Sequence, residues 1–235
     1  MITISEPLKN SQFSKGITYG MTIALGYIPA ALAFGLLAKG TGLSLLETLS
    51  MSMFVFAGAA QYMSLNLIAL GTGAFEIIFT TFIVNIRHLL LTASLSEKAE
   101  EDRPFIKAFY AFFITDEAFA VIATKEGTPT SKFILGVGLS GYTSWVSMSV
   151  VGYVIGAALP TILQESMGIA LYALFIALLV PAMKKNIKII TLALTAALLN
   201  GLFSQIMADG WAIVCATLLA SVGIEVLFSR KEIRS

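Results

Sequence analysis

Long apolar runs set the rhythm of this chain. Stretches free of Asp, Glu, Lys and Arg cover residues 16–38, 48–75, 133–164 and 189–208, and a fifth, 166–183, is 18 residues long. A helix needs about 20 apolar residues to cross about 30 Å of hydrocarbon, so the first four suffice and the fifth is just long enough. Three further segments are as apolar on average but carry charge: 74–95 holds Arg87 and His88, 104–124 holds Lys107, Asp116 and Glu117, and 210–228 holds Glu225. The pattern predicts an all-α integral membrane protein, a polytopic helical bundle of about eight crossings, or seven if one segment is re-entrant.

The polar connections are short, the longest being 96–103 and 125–132. They leave no room for a soluble domain, so residues 1–235 read as a single transmembrane domain. The first fifteen residues carry Glu6, Lys9 and Lys15 and no apolar run, unlike a cleavable signal peptide, and the first helix is expected to be retained. Basic residues in short loops stay cytoplasmic. With eight crossings and the N-terminus inside, Lys9, Lys15, Lys125, Lys132, Lys184, Lys185, Lys188, Arg230, Lys231 and Arg234 fall inside, against Lys39, Lys98, Arg103 and Lys107 outside. Both termini are therefore expected in the cytoplasm.

Composition narrows the class from the other side. The chain is 57% hydrophobic and 12% charged, whereas a soluble domain carries roughly 25% charged residues, so an ordinary soluble enzyme is excluded. Fifteen basic against 14 acidic residues leave a net charge of +1 and no nucleic-acid footprint. One cysteine, Cys215, permits no internal disulfide, and one histidine, His88, no His-rich metal cage. No Gly-x-x-x-x-Gly-Lys-Ser/Thr loop is present, which argues against ATP hydrolysis. Neither cofactor nor metal is expected.

A weak internal repeat runs at an offset near 116. Phe56-Ala57 recurs as Tyr172-Ala173, Met51 as Met167, and Gly20 and Gly40 as Gly136 and Gly156; at an offset of 115, Asn85 falls on Asn200. The repeat halves would be 13–127 and 132–228. Repeats of this kind mark secondary transporters, whose sites lie near the bilayer midplane beside broken helices. Breaks are expected at Pro29, with Gly26 before it, and at the Gly136, Gly138, Gly141 series; kinks and close packing by small residues are the alternative.

Four ionisable residues lie where charge is expensive. Measured from the loop 96–103 at about 1.5 Å per residue, Arg87 and Asp116 are roughly 13 and 19 Å deep, on antiparallel helices. A charge there costs about 2.5–3.5 kcal/mol, so an ion pair between Arg87-His88 and Asp116-Glu117 is expected. Asn85 and His88 share a helix face while Arg87 points about 100° away, and Asp116 and Glu117 diverge in the same way. One member of each pair can then line a cavity while the other locks the helices; a purely structural clasp is the alternative. His88 is the one side chain of a type that titrates near neutral pH, a candidate for a proton-linked step. In the second span, Gln61 needs partners for its amide, and Gly58 and its small neighbours let another helix or a substrate come close. The expected substrate and ion pathway comprises Pro29, Gly58, Gln61, Asn85, Arg87, His88, Asp116, Glu117 and Asn200.

Phe34-Gly35-Leu36-Leu37-Ala38, Gly42-Leu43-Ser44, the stretch from Phe56 to Tyr62, Asn85-Ile86-Arg87-His88, Thr115-Asp116-Glu117-Ala118 and the run from Ala170 to Pro181 together give the chain its most recognisable features. In these it resembles the AzlC family of bacterial branched-chain amino acid permeases, over about residues 13–228. The resemblance implies a bacterial plasma-membrane exporter of leucine, isoleucine and valine, with methionine or analogues of these as further substrates, working with a small hydrophobic subunit of the AzlD type. Members of that family commonly carry an acid in the sixth span, as Leu-Asp-Phe-Ala, where this chain reads Met167-Gly168-Ile169-Ala170. If that acid takes part in substrate or ion binding in other members, Gly168, which has no carboxylate, cannot do so here, and substrate range and coupling ion stay open. Two rival readings have weaker support. Gly138-Leu139-Ser140-Gly141 matches the Gly-x-Ser-Gly of intramembrane proteases, but the needed histidine base would have to follow it in the chain, and His88 precedes it. A channel would show a ring of like charges or a carbonyl filter rather than paired opposite charges, and a passive scaffold subunit whose partner carries the solute stands as the alternative beside it.

Overall fold

The computed structural model describes residues 10–155 and 186–232, with scattered positions between 158 and 184. Among the described residues the chain is all-helical: α1 (Asn10–Gly40), α2 (Leu45–Phe54), α3 (Gly58–Ala69), α4 (Ala74–Lys98), α5 (Pro104–Ala111), α6 (Asp116–Ala123), α7 (Ser131–Ile155), α8 (Ile187–Phe203) and α9 (Asp209–Glu232). Four helical stretches are long and apolar enough to cross a membrane: Gln12–Gly40, Ala74–Lys98, Ser131–Ile155 and Asp209–Phe228. The expected span 166–183 lies outside the described residues except at scattered positions, and the repeat partners Gly156, Met167, Gly168 and Tyr172 lie outside them.

Two of the expected spans are not continuous helices. The run 48–75 is divided into α2 and α3 by residues 55–57, and 104–124 into α5 and α6 by residues 112–115. The breaks foreseen at Pro29 and at Gly136–Gly141 do not occur, since α1 runs through Pro29 and α7 through all three glycines. The reason is packing. Ser144 Oγ donates to the Ala24 carbonyl at 2.6 Å, a Cβ on Gly136 would lie 2.9 Å from the Ile17 nitrogen, and one on Gly152 would overlap the Leu32 carbonyl oxygen. These pairs advance together along both helices, so α1 and α7 lie parallel with their backbones in contact. The small residues serve close approach, as in membrane helix pairs generally. Pro29 sits on the exposed side of α1, where its missing N–H disturbs no contact with α7.

The tightest point is Gly35, where an added Cβ would overlap the Ser149 carbonyl oxygen and stand 2.6 Å from the Tyr153 nitrogen. Gly35→Ala must force the backbones apart, and overpacking of this kind costs about 1–3 kcal/mol or more. We expect it to lower the melting temperature of the detergent-purified protein by several degrees. Gly26→Ala, whose Cβ meets nothing within 4 Å, should leave it unchanged or raise it, because alanine is the better helix former.

The chain falls into two compact units, Met1–Tyr62 with Asn85–Gly168, and Met63–Val84 with Ile169–Ser235. In the second, Glu225 of α9, the charge noted in the last span, pairs with Lys188 of α8 at 2.8 Å. Glu76 accepts the Trp211 backbone N–H at 3.3 Å, placing a carboxylate at the N-terminus of α9, where the helix dipole favours it. The Trp211 ring packs on Phe79 with centroids 5.4 Å apart. Of the sequence-predicted pathway residues, all but Asn200 belong to the first unit.

Candidate functional site

A helix that breaks within apolar surroundings frees backbone carbonyls that must find donors. At the α2–α3 break the Met51 and Val55 carbonyls accept the backbone N–H groups of Val55 and Ala57, and Gln61 gives each a second donor. Its Nε2 donates to the carbonyls of Met51 at 2.8 Å and Val55 at 2.7 Å, and its Oε1 accepts the indole N–H of Trp145 at 2.8 Å. Tyr142 donates from the same side of α7 to the Met53 carbonyl at 3.1 Å. Gly58 opens α3 under the Trp145 ring, which a Cβ would approach to 2.9 Å. Gln61 is completely buried, so its amide is a clasp holding a broken helix against α7. Gln61→Leu would leave the Trp145 indole N–H without its acceptor, at about 1–3 kcal/mol for a buried group left unsatisfied, and would take the second donor from the Met51 and Val55 carbonyls, which keep the N–H groups of Val55 and Ala57. We expect a large drop in melting temperature, while Asn66→Ala, at an exposed position of the same helix, should have little effect.

The second break carries the charges. Thr115 caps α6, its hydroxyl oxygen accepting the Ala118 N–H at 3.2 Å. Asp116 and Glu117 follow in the first turn, where the positive end of the helix dipole favours carboxylates. Arg87, near the middle of α4, reaches Asp116 with Nη2 to Oδ2 at 3.0 Å, the ion pair expected from depth along the chain. Glu117 is bound differently. Its Oε2 accepts the hydroxyl of Tyr27 of α1 at 2.5 Å, and that hydroxyl also lies 2.8 Å from Thr115 Oγ1.

Aromatic rings join the two breaks. Tyr27 meets Phe56 and Trp145 at centroid distances of 6.3 and 5.3 Å, and Tyr142 meets Phe56 and Phe113 at 5.2 Å each. The geometry thus brings Arg87, Asp116 and Glu117 together, with Gly58 and Gln61 at the neighbouring break. Asn85 lies nearby on α4 with its side-chain carbonyl buried and unpartnered among the described residues, and the half-buried His88 ring makes no hydrogen bond among them. Pro29 faces outward and is not part of the group. Asn200 belongs to the second unit, on α8, and its carbonyl too lacks a partner among the described residues. Ser140 donates to the Gly136 carbonyl at 2.8 Å, a bond within its own helix. No group of three or more metal-ligating side chains occurs among the described residues.

Sequence reasoning missed Tyr27, Thr115, Tyr142 and Trp145. For Thr115 the signal was present: a threonine followed by two acids is the signature of a helix N-terminus. For the three aromatic residues there was none, since rings in apolar spans are ordinarily packing.

The profile of a family described as AzlC protein matches residues 22–159. The chain is 34% identical over 180 residues to an uncharacterized membrane protein of Archaeoglobus fulgidus, covering 75% of this chain and 78% of that one. It is 31% identical to the inner membrane protein YgaZ of Escherichia coli, over 91% of each chain. It is 25% identical to the branched-chain amino acid transport protein AzlC of Bacillus subtilis, over 90% of this chain and 83% of the relative. No solved structure matches it.

Proposed function

Because the chain belongs to the AzlC family, we propose that it is a secondary carrier that exports branched-chain amino acids across the bacterial plasma membrane, both termini cytoplasmic, with a small hydrophobic subunit as partner. The observation that carries this reading is the Arg87–Asp116 pair at 3.0 Å beside the break before α6. An α-amino acid brings one carboxylate and one ammonium. It can relieve each member of the pair of the other: the carboxylate meets Arg87, the ammonium meets Asp116 or Glu117, and no charge is left bare while the pair is open. The aliphatic side chain is held by apolar surroundings, which select it by size and hydrophobicity. Broken helices suit alternating access, because short segments can tilt without unwinding a whole span.

Cells loaded with a leucine-containing peptide and expressing this chain, alone and with a small partner, test the reading. Leucine efflux several-fold above that of control cells is expected when both are present. Efflux equal to the control in both strains would refute it.

A further inference from the structure

The hydroxyl of Tyr27 has two acceptors within reach, Glu117 Oε2 at 2.5 Å and Thr115 Oγ1 at 2.8 Å, and one proton to give. Tyr27 is only 4% exposed; its contact with Thr115 is buried and that with Glu117 part-buried. With Glu117 ionised, Tyr27 donates to the carboxylate and the Thr115 hydroxyl can donate to the Tyr27 oxygen. With Glu117 protonated, the new carboxyl O–H donates to the Tyr27 oxygen, and Tyr27 turns its proton to Thr115 Oγ1. In both states the three oxygens stay paired without a heavy atom moving. A chain that closes equally well in either sense removes the hydrogen-bond penalty that normally attends a change of protonation in an apolar site.

The surrounding charges fit such a role. Arg87 is engaged by Asp116, and among the described residues no cationic side chain is paired with Glu117. The groups facing it are Tyr27 from α1, Arg87 and His88 from α4 and Asp116 from its own helix. From α7, Trp145 packs on the Tyr27 ring, and the only charge on that helix, Lys132, lies in its first turn.

We propose that Glu117 is a proton-binding site of the carrier, filled and emptied by reversal of the hydrogen-bond chain Glu117–Tyr27–Thr115. One proton from water joins the carboxylate on loading and returns to water on release, while the hydroxyl protons of Tyr27 and Thr115 stay on their own oxygens. The proposal rests on the transport reading for its purpose and leaves Asp116 as the partner of the substrate ammonium.

Infrared difference spectra of the purified, reconstituted chain between acid and alkaline buffer test it without any substrate. The expected result is a protonated-carboxyl C=O band that is lost in Glu117→Gln and displaced in Tyr27→Phe. The full band in Glu117→Gln, or an unmoved band in Tyr27→Phe, would overturn it. Should Tyr27→Phe fail to fold, Thr115→Val removes the far end of the chain, and there too a displaced band supports the relay and an unmoved one refutes it. Absence of leucine exchange by the wild-type protein would defeat the carrier reading but not this titration.

Discussion

Asp116→Asn is expected to reduce leucine exchange by roughly two orders of magnitude in vesicles containing equal amounts of folded protein. The substitution keeps the shape of the side chain and removes its charge. Arg87 then faces a neutral amide where a carboxylate stood 3.0 Å away, and an uncompensated charge within a membrane helix costs about 2.5–3.5 kcal/mol. The substrate ammonium loses its counter-charge at the same time, and about 1.4 kcal/mol corresponds to each tenfold loss of rate or affinity. Exchange at the wild-type rate, with normal yield, would exclude Asp116 from the site.

The second large effect separates folding from transport. Arg87→Gln alone leaves Asp116 and Glu117 as two neighbouring carboxylates with no cation from α4. We expect it to lower the yield of monodisperse protein in size-exclusion chromatography, because an unpaired charge within a membrane span costs about 2.5–3.5 kcal/mol. Combining Arg87→Gln with Asp116→Asn removes both charges, and a neutral pair needs no mutual compensation. The double variant should recover most of the yield and none of the transport. Wild-type transport by the double variant would reduce the ion pair to a structural clasp, and wild-type yield from Arg87→Gln would show that it does not even stabilise the fold.

The ion pair was legible in the sequence because its logic is one-dimensional. Distance along two helices from a shared loop fixes depth, and two opposite charges at similar depth have every energetic reason to meet. The helix breaks were harder to read for a physical reason. Pro29 and the glycines of α7 are the conventional marks of a broken helix, yet proline is tolerated on an outward face and glycine serves backbone contact equally well, as Gly35 and Gly152 do against α7 and α1. The actual break before α6 lies at residues 112–115, and it ends at Thr115-Asp116-Glu117, where a cap and two first-turn acids announce a helix start in a segment whose apolar character suggested continuity. The break before α3 depends on Gln61 finding carbonyls ten and six residues earlier and an indole on α7. Such long-range satisfaction of a side chain leaves no local pattern. Tyr27 shows the same limit: its value lies in which two oxygens it reaches across from α1.

The most direct test of the central claim is counterflow of labelled leucine into vesicles preloaded with unlabelled leucine, using the purified chain with its small partner, as wild type and as Asp116→Asn. The account predicts transient accumulation by the wild type, suppressed by excess isoleucine or valine and not by lysine or glutamate, and none by the variant. Equal accumulation by wild type and variant, or none by either, would contradict it.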